Sequence, residues 1–257
     1  MAAIRRLFWD IETSPNVGFF WRCGYKLKIS HENLIHERAI ITIAWKWEGE
    51  SRVHAAAWDK NQCDRALLRE FLPVLNIADE SVAHFGDSFD LPWVRTRALF
   101  HKLGPLPFHK TVDTLQWARR RFMFNSNKLD YIARFLGIGC KLRTDYDLWV
   151  DIVLRRNPRS LAYMIKYNKA DVTLLEKVYH ALAGYCPPKT HVGILNGNDK
   201  WSCPRCASVN VGPFQRCVTA AGTHQMKMKC RDCGGYYRIS DSALRKHEEA
   251  KSPAKAA

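Results

Sequence analysis

Two acids one residue apart, Asp10 and Glu12, close an apolar run that begins at Ile4 and ends at Trp9. Side chains on a strand alternate between faces, so these two project to the same side. Adjacent carboxylates repel each other, and a divalent cation relieves that repulsion; Mg²⁺ and Mn²⁺ favour oxygen ligands of this kind. Taken alone, the pair also reads as a polar strand end. Two later acids shift the balance. Asp90 follows Phe89 at the head of a helical stretch, and Asp171 stands four residues after Tyr167 in Tyr167-Asn168-Lys169-Ala170-Asp171. That spacing puts phenol and carboxylate on one helical face. Carboxylate-held ions acidify water and neutralise anionic substrates, which is the chemistry these residue types permit.

A second constellation lies near the other end. Cys203-Pro204-Arg205-Cys206 and Cys230-Arg231-Asp232-Cys233 are two Cys-x-x-Cys pairs with 23 residues between them. Two such knuckles complete a closed tetrahedral zinc site, with a redox role as the competing reading. Cys217 lies between the pairs without a partner and is not expected to be a ligand. Cys23, Cys63, Cys140 and Cys186 are scattered and read as bystanders. So short a module has too few apolar side chains to fold without its metal.

The elements that must position the acids follow from the hydrophobic pattern. Ile4 to Thr13 is a strand. Residues 13–28 are irregular and aromatic, with Phe19, Phe20, Trp21 and Tyr25; they fit either a loop packed on the core or a base-stacking segment. Ala39 to Trp47 and Arg52 to Trp58 form a hairpin around Glu48-Gly49-Glu50. A helix over 62–78, a strand over 81–85, a helix over 91–103 and a strand over 110–113 follow. Three helices are predicted at 115–124, 128–136 and 145–155, then a long one from Pro158 to about Tyr179. The boundaries expected are a first domain over 1–185, a linker over 186–200, a ribbon over 201–240 and a charged, disordered tail over 241–257.

The chain has 257 residues, a formal charge of +15 and 47% hydrophobic residues. That is enough for one full core and a small extra module. Such a charge implies a polyanionic partner, with nucleic acid first. No apolar run reaches the roughly 20 residues of a membrane span, and the N-terminus lacks an apolar signal region, so a cytoplasmic protein is expected. Arg119, Arg120, Arg121 and Lys128, next to Phe122 and Phe124, suit a threaded single strand. Lys166 and Lys169 flank Asp171 and are further candidates for phosphate contact.

The motifs Asp10-x-Glu12, Phe89-Asp90 and Tyr167-x-x-x-Asp171, in that order, resemble those of the DEDD (DnaQ-like) exonuclease superfamily. The histidine branch of that family has His five residues before the last acid, where this chain has Lys166, so the tyrosine branch is the better match. The resemblance covers roughly residues 4–184 and is similar to stand-alone bacterial and phage enzymes, many of which end in a zinc ribbon; Ser126-Asn127-Lys128-Leu129-Asp130 adds to it. It implies an α/β fold, an RNase H-like mixed five-stranded sheet flanked by helices and followed by a small zinc-ribbon module. It also implies 3′–5′ hydrolysis of phosphodiester bonds, in DNA more than RNA, by two Mg²⁺ or Mn²⁺ ions. Asp10 would bridge the ions, Glu12 and Asp171 would complete one site, Asp90 would hold the second, and Tyr167 would orient water. One structural Zn²⁺ would sit on Cys203, Cys206, Cys230 and Cys233. In one respect the chain departs from the family: Phe85 follows His84 where Asn is frequent. Two readings stay open beside a nuclease: a non-catalytic nucleic-acid-binding protein on the same fold, and an adaptor whose ribbon docks on a replication or transcription complex.

Overall fold

The computed structural model describes residues 4–22, 24 and 28–251. Tyr25 and Cys23, and the end of the charged tail at 252–257, lie outside the described residues. The chain divides into two compact units, 5–182 and a second centred on 183–257.

In the first unit the elements run β1 (Arg6–Thr13), β2 (Val17–Gly18), a 3-10 turn (His31–Asn33), β3 (Leu34–His36), β4 (Ile40–Trp47), β5 (His54–Ala57), α1 (Arg65–Asn76), β6 (Glu80–Ala83), α2 (Asp90–Phe100), β7 (Lys110–Asp113), α3 (Thr114–Arg121), α4 (Leu129–Phe135), α5 (Tyr146–Val153) and α6 (Pro158–Ala183). The main sheet has the order β5-β4-β1-β6-β7. β1 pairs antiparallel with β4 and parallel with β6, so the expected mixed five-stranded sheet is present. Alternation along β1 divides its side chains between two faces. Trp9 packs on Phe71 of α1, ring centroids 5.1 Å apart, while Phe8 meets Tyr179 of α6 at 5.2 Å. Phe8, Asp10 and Glu12 share the face that α6 covers, which fixes where the acids point.

A buried polar cluster ties the first layer of helices to the sheet. The Asp64 carboxylate accepts from the Ile40 backbone N–H at 3.0 Å and from Arg97 Nε and Nη2 at 2.7 and 2.8 Å. Asp64 is completely buried, so this pairing is what makes its charge tolerable there. Asp113 caps α3, accepting from the N–H groups of Leu115 and Gln116.

The second unit holds α7 (Val192–Leu195), β8 (Val211–Val218), β9 (His224–Cys230), β10 (Tyr236–Ser240) and α8 (Asp241–Lys251). Its three strands form an antiparallel sheet in the order β10-β9-β8. The stretch 241–251, expected as part of a disordered tail, is helical instead. Ala243, Leu244 and His247 lie at helical spacing on one buried face, Ala243 and Leu244 packed with Met226, Met228 and Ile239, and His247 against the Trp201 ring at 4.8 Å. The surrounding Arg, Lys and Glu residues hide that stripe in a composition count. Among the described residues, no helix is long and apolar enough to cross a membrane.

Candidate active site

β1 outlasts one of its neighbours. Its pairing with β6 covers Arg6, Leu7 and Phe8 only, because β6 ends at Ala83 and the chain turns through 84–89 into α2. On that unpaired flank the Asp90 carboxylate stands in for a strand, Oδ1 accepting from the Ile11 N–H at 3.1 Å. Asp90 is buried, and it brings a third acid beside Asp10 and Glu12.

α6 supplies the opposite wall. Single carboxylate oxygens of Asp10, Glu12 and Asp171 lie within 4.8 Å of one another. Asn168, fully buried, donates its amide Nδ2 to Asp10 Oδ2 at 2.7 Å. Tyr167 lies one turn from Asp171 on the same helix, as its spacing predicts. Unforeseen is Lys141, whose Nζ stands 2.6 Å from Asp171 Oδ2 and 3.4 Å from the Tyr167 hydroxyl. Its backbone is held by Asp130, which accepts the Lys141 N–H at 2.7 Å.

The electrostatics are those of a crowded anionic pocket. Burial, then repulsion from Asp171, pushes Asp10 up to about 7, although Lys141 and the Asn168 amide pull the other way. Glu12 and Asp90 are driven well above the carboxylate range by burial and by Asp10. Asp171 is raised by burial against the pull of Lys141. Burial and Asp171 push Tyr167 up to about 12, so at neutral pH its hydroxyl is a donor and a positioning group, not a base. Burial would lower Lys141, but Asp171 and Asp10 outweigh it and hold the ammonium charged.

The residues fit a divalent cation. Asp171 Oδ1 is buried with no hydrogen-bond partner, and the Glu12 carboxylate takes none among the described residues. Oxygen donors left open in a pocket that suppresses their ionisation are what a hard cation satisfies. Asp90 stands beside Asp10 and outside this trio.

A family model described as the RNase_H superfamily matches residues 29–183, more than half of the chain. The chain belongs to the RNase H superfamily. That match begins after β1, so Asp10 and Glu12 enter the superfamily core through the pairing of β1 with β4 and β6. Among solved structures, the family B DNA polymerase from the hyperthermophilic archaeon Pyrobaculum calidifontis is similar, with a TM-score of 0.55 and 16% identity. The likeness covers 71% of this chain and 25% of the polymerase, so the chain spans about a quarter of that protein's length. No curated protein matches. Superfamily membership supports a nuclease, and nucleases of the RNase H type generally use divalent metals.

Around Asp10, Glu12 and Asp171, the other acids are otherwise engaged. Asp87 accepts from Gln116, Asp113 caps α3, and Asp130 binds the Lys141 backbone and Arg134. Arg119, Arg120, Arg121 and Lys128 are exposed, as is Lys166, and Lys169 is half-buried. Beside them the rings of Phe122 and Phe124 stack at 5.3 Å. Phe19, Phe20 and Trp21 are exposed rather than packed.

A separate group is the cysteine cluster. Sγ atoms of Cys203, Cys206, Cys230 and Cys233 all fall within 4.8 Å of one another, with Cys203–Cys233 and Cys206–Cys230 each at 3.6 Å. Burial raises the Cys203 and Cys206 thiols, whereas the Cys233 and Asp232 N–H groups outweigh burial at Cys230 and bring it down to about 7, so a bound metal would have to displace protons from the first two. The set is compatible with a zinc ribbon. Cys217 points its Sγ at the Gln225 carbonyl and stays out of the cluster.

Proposed function

We propose that this protein is a metal-dependent 3′–5′ exonuclease of the tyrosine type, releasing nucleoside monophosphates from single-stranded 3′ ends, in DNA more than RNA. The observation that carries the reading is the convergence of Asp10, Glu12 and Asp171 on one point, with Asp90 beside Asp10 and Tyr167 beside Asp171. Direction and branch rest on the resemblance of the three motifs.

Asp10, Glu12, Asp171 and Asp90 would hold two Mg²⁺ or Mn²⁺, which supply Lewis acidity toward a phosphodiester and its attacking water. Within the chain, Asn168 keeps Asp10 in one rotamer, and Asp90 is fixed by the Ile11 N–H. The Tyr167 hydroxyl orients water by hydrogen bonding. Lys141 holds positive charge against Asp171 and offers an ammonium to a phosphate oxygen. Arg119, Arg120, Arg121, Lys128, Lys166 and Lys169 would guide the strand through its phosphates. The cysteine cluster would bind one structural Zn²⁺, and the basic ribbon would hold substrate or a replication or transcription partner. Nine cysteines and a zinc site suit a reducing bacterial or phage-infected cytoplasm.

Digestion of end-labelled single- and double-stranded DNA and RNA with Mg²⁺, Mn²⁺ or EDTA tests this. Metal-dependent laddering of the 5′-labelled single strand is expected. Binding without any cleavage would favour a non-catalytic role.

A further inference from the structure

Five described residues other than glycine have a positive φ, and Phe85 is the aromatic one, at +73°. Asn or Gly takes that conformation readily; a bulky ring does so at a cost. The backbone leaves it no alternative. Phe85 N donates to Asp113 Oδ1 at 3.0 Å, and its carbonyl accepts from the N–H groups of Ser88 and Phe89. A Cβ on the next residue, Gly86, would stand 2.4 Å from Ala83 Cβ, so the turn is tight on both sides. Nor does the ring gain a full core contact in return, since Phe85 is 39% exposed. Among the described residues, the Arg119 guanidinium stands 6.0 Å from the ring centroid. The residue sits at the end of β6, one hydrogen-bonded turn before Asp90.

A strained, 39% exposed ring, clamped by its backbone in the turn that leads into Asp90, is not explained by core packing. We infer that Phe85 is a stacking platform for one nucleobase of the strand being cut, with Arg119 backing the ring and facing the neighbouring phosphate. The inference rests on the nuclease reading and adds a base-contacting residue to it. Because every base has a π-face, the contact selects unpaired ends and not a sequence.

The test is a cycle between Phe85→Asn and an abasic nucleotide, made in Asp10→Ala protein so that the strand is not cut. Binding of labelled single-stranded oligonucleotides is read by anisotropy, with abasic positions stepped through the last four nucleotides. Expected is a loss of roughly tenfold or more for Phe85→Asn on the intact strand, which disappears at one abasic position. Phe85→Tyr should restore binding. Phe85→Asn should also raise the melting temperature, because Asn accepts the positive φ. Phe85→Leu, which keeps apolar bulk without a π-face, should bind like Phe85→Asn. Unchanged affinity in Phe85→Asn and Phe85→Leu, or an equal loss on every abasic strand, overturns the platform. If unmodified protein neither binds nor cuts single strands, the nuclease reading itself falls; if it cuts and Phe85→Asn cuts with the same KM, only the platform does.

Discussion

Lys141 Nζ lies 2.6 Å from Asp171 Oδ2, across the pocket from the acids of β1. Its positive charge sits in a space ringed by carboxylates, so it tempers their repulsion whenever divalent ions are scarce. Lys141→Met should therefore destabilise the protein without added metal by about 3 kcal/mol at most, the lower end for a lost buried pair because this lysine is partly exposed. Saturating Mg²⁺ should recover much of the loss. Denaturant melts with and without Mg²⁺ measure it, and equal losses in both would show that Lys141 acts by packing alone.

Asp10→Ala and Asp171→Ala should each abolish hydrolysis yet leave folding intact, since each removes a ligand and relieves repulsion. Purified variants with native turnover would refute the assignment of the site. Tyr167→Phe keeps the ring and deletes the oriented hydroxyl; a fall of roughly 10²–10³ in kcat is expected, short of the loss on removing an acid.

The raised carboxyl of Asp10 gives a pH signature. An unfolded chain loses that proton near pH 4, whereas the folded protein keeps it to about 7. Between those values the folded state binds more protons, so this group's contribution to stability falls as pH rises and is lowest above 7. The melting temperature of Asp10→Asn should accordingly exceed that of the unaltered protein at pH 8 without divalent ions, with the gap closing toward pH 4. In the same window, apparent affinity for Mn²⁺ should climb at least tenfold per pH unit, because Asp10 must give up its proton to the ion and the raised carboxyls of Glu12 and Asp171 add to the proton release. Calorimetric titrations that show a flat profile would contradict the raised value.

The ribbon and the stretch beyond it, from Trp201 on, carry ten Lys and Arg against four Asp and Glu. A protein ending near Pro188 should keep its chemistry, since residues 5–182 form their own compact unit, and lose affinity. Binding of the whole protein should also fall more steeply with salt, each neutralised phosphate adding about −0.7 to the log–log slope on single strands. Equal slopes would assign the ribbon to a protein partner. Cys203→Ser or Cys230→Ser should abolish binding of the proposed Zn²⁺ and unfold 201–251, with Tyr237 and Trp201 fluorescence as the readout.

How far the sequence foretells the site depends on the range of the contacts. Asp10 with Glu12, and Tyr167 with Asp171, are local spacings on a strand and a helix, so their shared faces are legible before any fold is known. The two Cys-x-x-Cys pairs are equally local. Lys141 is not: it lies in the loop between α4 and α5, without periodicity, and reaches Asp171 only because Asp130 anchors its backbone. Asn168 looks like a bystander between Tyr167 and Lys169 until α6 is laid across β1. α8 escapes for another reason, since its buried Ala243, Leu244 and His247 are outnumbered by the charges around them.

The bond from the Ile11 N–H to Asp90 bears on how such chains can be classified. An acid at this position satisfies a backbone donor that β6 has abandoned, and Asp90→Ala would leave that donor buried and unpaired, at a cost of about 1–3 kcal/mol. A descendant that had given up hydrolysis would still be under pressure to keep it. Glu12, whose carboxylate serves no hydrogen bond among the described residues, enjoys no such protection. In a lineage drifting toward a purely structural life, Glu12 would be the first acid to vanish, and its presence is the more telling mark of a working enzyme.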